Sequence, residues 1–204
     1  MKVFSANSAV LRGIIAVVGL VAIPGTAEAH LNTTGLGPVY DGLVHFVITL
    51  EDFVPVLALA LFAGMRSKQH GRRVLFLLPA AWLTGGLLGL NLNAYDGPLL
   101  PAVLFLLFGV LVAVDARLSQ ETTTLLAVLL GLCQGLLNGA TIGQPFNGSL
   151  ALLGMVGAVF ILIAFVSAFV SSMQRPWARI GVRVVGSWIA ACGLLLIGWA
   201  SRNG

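Results

Sequence analysis

Two short stretches of this 204-residue chain carry polar side chains at spacings that would gather them on one side of a helix. In the first, Asp41, His45, Thr49 and Asp52 follow one another at intervals of four, four and three, which is one face of a single helix beginning near Tyr40. Glu51 is one residue earlier than Asp52 and so is rotated by about 100° around the axis. In the second, Gln134, Asn138 and Thr141 repeat the pattern at intervals of four and three. Carboxylate, imidazole and amide oxygen are donors for divalent cations, and a stripe of them along a helix suits a cation that enters from one end. A purely structural use competes with this one. Asp41 can cap a helix N-terminus, His45 can sit at headgroup level, and Gln134 and Asn138 can hydrogen-bond across neighbouring helices.

Other chemistry finds little support. There is no Ser-His-Asp pattern, no Gly-rich phosphate loop and no His-x-x-x-His cluster, so an enzyme is not expected. Beyond His30 and His45 the remaining histidine is His70, which lies among basic residues and reads as a solvated loop side chain. Cys133 and Cys192 fall inside apolar runs, where thiols are ordinary core residues, and form no Cys-x-x-Cys. A pI of about 9.7 comes without a basic stripe interleaved with aromatics, which argues against nucleic acid as a partner.

The elements that must position these residues are six apolar runs: Leu43 to Gly64, Val74 to Leu90, Leu99 to Val114, Thr123 to Ala140, Leu150 to Ser171 and Ile180 to Ala200. Each approaches the roughly 20 residues that cross a bilayer as a helix. A 58% hydrophobic content, 9% charged residues and a mean hydropathy of +1.01 agree. The fold class expected is therefore an all-α polytopic membrane protein, a glycine-rich bundle of six transmembrane helices with the lipid bilayer as its principal partner. Ahead of it, Lys2 and Arg12 precede the apolar stretch Gly13 to Ile23, and Ala27-Glu28-Ala29 has the small-x-small form of a signal peptidase site. Residues 1–29 are expected to be a cleaved signal peptide and 30–204 the membrane domain, with His30 as the mature N-terminus. Its free amine and imidazole would form a chelating pair.

Orientation follows from the loops. Arg66, Lys68, Arg72 and Arg73, then Arg117, then Arg175, Arg179 and Arg183 fall on alternate connections, whereas Asn91 to Pro98 and Thr141 to Ser149 carry no Lys or Arg. The basic side is expected to be cytoplasmic, which leaves both mature termini on the outer side of a bacterial inner membrane. Gly131, Gly135 and Gly139 recur every fourth residue in the fourth run, as Gly85 and Gly89 do in the second. Such faces let backbones approach closely, so the fourth helix is expected at the centre of the bundle.

The order of export signal, histidine near the mature start, Gly35-Leu36-Gly37, and Asp41-Gly42 with His45 leading into the first helix resembles the HupE/UreJ family, small membrane proteins associated with nickel or cobalt uptake for hydrogenase and urease. That family carries His-Pro-x-x-Gly-x-Asp-His in its first helix and Phe-His-Gly-x-Ala-His-Gly-x-Glu in its fourth. The first stretch here runs from His45 to Asp52; it keeps His45, has Glu51 for the acidic residue and Asp52 for the second histidine. The other runs from Cys133 to Thr141; it keeps Gly135 and Gly139 but has Gln134 and Asn138 for the histidines and Thr141 for the glutamate. These exchanges move the donor set from nitrogen toward oxygen. The resemblance implies a permease or channel-like carrier for a divalent metal ion, with His30, Asp41, His45, Glu51 and Asp52 as metal ligands and Thr49, Gln134, Asn138 and Thr141 lining the path. A non-transporting membrane subunit is the alternative. No permanently bound cofactor is expected; a membrane-protein partner or a homo-oligomer is compatible with the sequence.

Overall fold

The computed structural model describes residues 34–92, 99–142, 145–173 and 175–203. The expected signal peptide, residues 1–29, and His30 lie outside the described residues. Seven helices make up what is described: α1 Pro38–Ile48, α2 Leu50–Arg66, α3 Lys68–Gly89, α4 Leu99–Ala113, α5 Gln120–Ile142, α6 Pro145–Ser172 and α7 Pro176–Asn203. No strand occurs among the described residues. Among the described residues three helical segments are long and apolar enough to cross a membrane, Gln120–Ile142, Gly148–Ser172 and Pro176–Arg202. The pair α1 and α2 passes the same test only when taken together, and α4 is a shorter apolar helix. α3 opens on Lys68, His70, Arg72 and Arg73, so its apolar part starts at Val74.

The first run departs most from expectation. Instead of one helix there are two, meeting at Thr49 with a bend of 73°. Thr49 has extended backbone (φ −83°, ψ 96°) and closes both helices: its N–H donates to His45 O at 2.9 Å, and its carbonyl accepts from Asp52 and Phe53 at 3.1 and 3.0 Å. The single face expected for Asp41, His45, Thr49 and Asp52 is therefore divided, with Asp41 and His45 on α1 and Asp52 in the first turn of α2. Aromatic packing holds the bend. Phe46 of α1, 1% exposed, lies 5.9 Å from Phe53 of α2 and edge-on to Trp82 of α3 at 5.8 Å, contacts worth about 0.5–1.5 kcal/mol each beyond the area they bury.

Packing elsewhere is set by glycine. A Cβ placed on Gly131 would stand 2.5 Å from Leu78 O, and one on Gly135 or Gly139 would meet the carbonyl of Trp82 or Gly86. In return Gly85 and Gly89 of α3 face the carbonyls of Leu132 and Leu136. Partner numbers rise together along the two helices, so α3 and α5 run parallel with their backbones in contact. The opposite order joins α4 and α7, where Gly109 meets Ala190 and Gly193 meets Leu106.

The fourth run is not the centre of the bundle. α5 packs along its length on α3 and touches α2 and α6 only sparsely, whereas α2 is in contact with every other described helix. The reason lies in the glycines: they bring α5 close to one neighbour and thereby commit that face to it.

The helix ends alternate as the loop charges require. At one end Asp115, between α4 and α5, pairs with Arg66 at the end of α2 and with Arg179 of α7, the latter at 3.1 Å. At the other, Gly148 lies against Leu90 and Ile142. Basic connections thus share one end of the molecule. Its flanks are apolar, with Phe165, Trp188, Leu195 and Trp199 each more than two-thirds exposed, a surface suited to lipid rather than to water.

Candidate functional site

The break at Thr49 organises the polar residues. Pro55, one turn into α2, has no N–H and so leaves the carbonyl of Glu51 without its usual helical donor. Gln134 of α5 supplies one: its Nε2 donates to Glu51 O at 2.8 Å. One turn further along α5, Asn138 Nδ2 donates to Asp52 Oδ1 and to Gln134 O, both at 2.9 Å. The same Asn138 side chain also lies beside His45. With the amide nitrogen turned to Asp52, its oxygen is the atom available to the imidazole. His45, Asp52, Gln134 and Asn138 are all buried, between 3% and 8% exposed, and the two bonds of Asn138 lie away from water, whereas that of Gln134 to Glu51 O is only partly buried.

A buried carboxylate is costly to place. Two features offset the cost for Asp52: the amide of Asn138, and its position in the first turn of α2, where the helix dipole favours negative charge. Glu51 shares that turn but is exposed, and the part it plays at Gln134 is through its backbone.

The remaining sequence candidates stand apart from this cluster. Asp41 is one turn before His45 on α1, and its Oδ1 accepts from Thr34 N at 2.5 Å and Thr34 Oγ1 at 2.7 Å, tying down the segment before the helix. Thr141 is exposed and its hydroxyl donates to Leu137 O at 2.9 Å, so it does not line up with Gln134 and Asn138. Among the described residues no three His, Cys, Asp or Glu side chains are grouped as a metal site. The expected ligand set of Asp41, His45, Glu51 and Asp52 is therefore not gathered into one; His45 and Asp52 are brought to a common neighbour, Asn138, and Asp41 is bonded to Thr34.

Pro55, Phe46 and Trp82 carry the site's geometry and were not singled out by the sequence. Pro55 could have been, because it sits four residues after Glu51 and so had to free that carbonyl. No pattern in the sequence announces that Phe46 bridges the bend.

A family model described as HupE / UreJ protein matches residues 18–196, nearly the whole chain. The chain belongs to the HupE/UreJ family. Comparison with curated proteins and with solved structures returned no match. The HupE/UreJ family is associated with nickel and cobalt transport or with urease and hydrogenase maturation, and the apolar helices agree with a membrane protein. The stretch from His45 to Asp52 falls across the bend, and the stretch from Gln134 to Thr141 supplies the residues that close on it from α5.

Proposed function

We propose that this HupE/UreJ protein is an inner-membrane permease or channel-like carrier for a divalent transition-metal cation. Its first span is the bent pair α1–α2, five further helices complete six crossings, and both mature termini are outside. The observation that carries the reading is the broken helix at Thr49, with His45, Asp52 and Asn138 joined around it. A helix interrupted within a membrane presents carbonyls at the end of one half and a dipole-stabilised carboxylate at the start of the next, an arrangement that transporters use to hold ions. Asp41 and His45 on α1 receive the cation from the outer side. Asp52, with the amide oxygens of Gln134 and Asn138, offers oxygen donors next to the imidazole nitrogen of His45. This mixed set is weaker for late transition metals than clustered imidazoles, which favours passage over tight retention.

A second reading, a non-transporting membrane subunit, is favoured by a specific feature: the polar side chains bond directly to one another, as a closed structural network does. Metal uptake separates the two. Cells producing the wild-type protein are expected to accumulate one of nickel, cobalt, copper, zinc or manganese in a protein-dependent manner. His45→Ala and Asp52→Asn should each lower that accumulation about tenfold or more at unchanged protein level, whereas Glu51→Gln and His30→Ala should have smaller effects, the latter under metal scarcity only. Accumulation of no metal in wild-type cells, or wild-type uptake in both of the first two variants, would leave the structural-subunit reading in place.

A further inference from the structure

An apolar crevice of about 700 Å³ opens between α2, α6 and α7, away from the polar cluster. Leu57 and Leu61 of α2 form its floor, Phe169 and Val170 of α6 one side, and Val182 and Val185 of α7 the other. Gly181 also lines it, and a Cβ added there would meet nothing within 4 Å. The space is thus open at the middle of its α7 wall.

The mouth differs from the interior. Arg175 and Trp177 line it where the chain passes from α6 to α7, at the end of the bundle where Arg66, Asp115 and Arg179 meet. Arg66 and Arg179 are both committed to Asp115. The Arg175 guanidinium is exposed and makes no ion pair or side-chain hydrogen bond among the described residues. Trp177 is 65% exposed and Phe169 equally so. An indole beside a cation, above a slot lined with aliphatic side chains, has the chemistry of a membrane boundary. The ring sits at headgroup level, the charge faces phosphate, and the slot takes hydrocarbon.

We propose that this crevice is a binding site for an anionic phospholipid, with an acyl chain between α2, α6 and α7 and the headgroup phosphate on Arg175. Charge complementarity selects the occupant. A zwitterionic lipid would fill the slot equally but would give less to a cation that has no carboxylate partner among the described residues, and a second copy of this chain would have to bring an acidic residue to Arg175. The proposal is independent of whether the protein carries metal, because it uses none of the residues at the Thr49 bend.

The test is native mass spectrometry of the full-length protein, purified in detergent, stripped of lipid and titrated in parallel with phosphatidylglycerol and phosphatidylcholine of identical acyl chains. One tight adduct is expected, with phosphatidylglycerol preferred about fivefold, the ratio that roughly 1 kcal/mol per arginine at a lipid surface corresponds to. Arg175→Gln should abolish the preference and keep the adduct. Gly181→Leu should remove the adduct for both lipids while leaving the elution volume on size exclusion unchanged, since the added side chain enters open space. Inorganic phosphate at millimolar concentration should not compete, because the acyl chain supplies most of the contact. Equal retention of the two lipids by the wild-type protein overturns the proposal, as does an unchanged adduct in Gly181→Leu or displacement by free phosphate. A dimer in the wild type that Gly181→Leu dissociates overturns it too, and makes the occupant a second copy.

Discussion

α5 presents two neighbouring faces to the rest of the bundle, and they are held by opposite means. Gly131, Gly135 and Gly139 lie flat on the carbonyls of α3 with no room for a further atom. Gln134 and Asn138, one residue before two of these glycines, reach across to α2 by hydrogen bonds, and Asn138 also lies beside His45. The first contact is a matter of shape. The second is a matter of donors and acceptors, and it joins a helix that otherwise touches α2 only sparsely. A membrane offers no hydrophobic drive to bring helices together, so close packing has to supply the association. That division of labour leaves the polar face free for function: α5 is held in place without Asn138, and Asn138 is positioned because α5 is held.

The comparison is sharpest where a single atom is added. Gly135→Leu forces a side chain into the Trp82 carbonyl, and since backbone cannot yield as a flexible side chain can, loss of folded protein is expected. Gly157→Leu, where an added Cβ meets nothing within 4 Å, should accumulate as wild type. Fluorescence-detected size exclusion of detergent extracts reads both, and a monodisperse, full-yield Gly135→Leu would mean that the α3–α5 contact is not the one holding α5.

A smaller effect is expected on the polar face. Asn138→Leu removes the donor to Asp52 and the polar neighbour of His45 but keeps the volume. Stability should fall by about 1–2 kcal/mol, in the range of interhelical hydrogen bonds and buried polar groups left unpaired. The protein should remain folded, with its midpoint lowered in a detergent thermal-unfolding series. If Asn138→Leu fails to fold, the glycine contact does not hold α5 independently of the polar face.

The least effect is expected at Thr141, exposed and bonded back to its own helix. Thr141→Val should change neither thermal midpoint nor metal accumulation beyond experimental scatter. A clear loss of uptake in that variant would return Thr141 to the path and extend the functional face of α5 by a turn.

Much of the architecture was legible from local pattern. Five of the six apolar runs form single helices close to the expected limits, because bilayer thickness and backbone hydrogen bonding restrict what such runs can form, and the first forms two. Alternating basic loops correctly grouped the helix ends. Four-residue glycine spacing announced a close contact, since that interval returns to the same side of a helix. The identity of the partner was not in the pattern: glycine says that a backbone comes near, and only the assembled bundle shows that it is α3, running parallel. For the same reason α5 was expected at the centre and lies to one side of α2.

The polar residues divide along the same line. Residue types and spacing by themselves marked Asp41, His45, Thr49, Glu51, Asp52, Gln134, Asn138 and Thr141 as the side chains worth watching, because an intramembrane polar group needs a partner. Tertiary structure alone decided which partners they take. The 73° bend at Thr49 depends on Phe46, Phe53 and Trp82 packing across it and on Gln134 satisfying the carbonyl that Pro55 releases. Those contacts join positions far apart in the chain. Periodicity is a property of neighbours and carries no information about them, so it drew one straight stripe from Asp41 to Asp52 where the folded protein turns a corner.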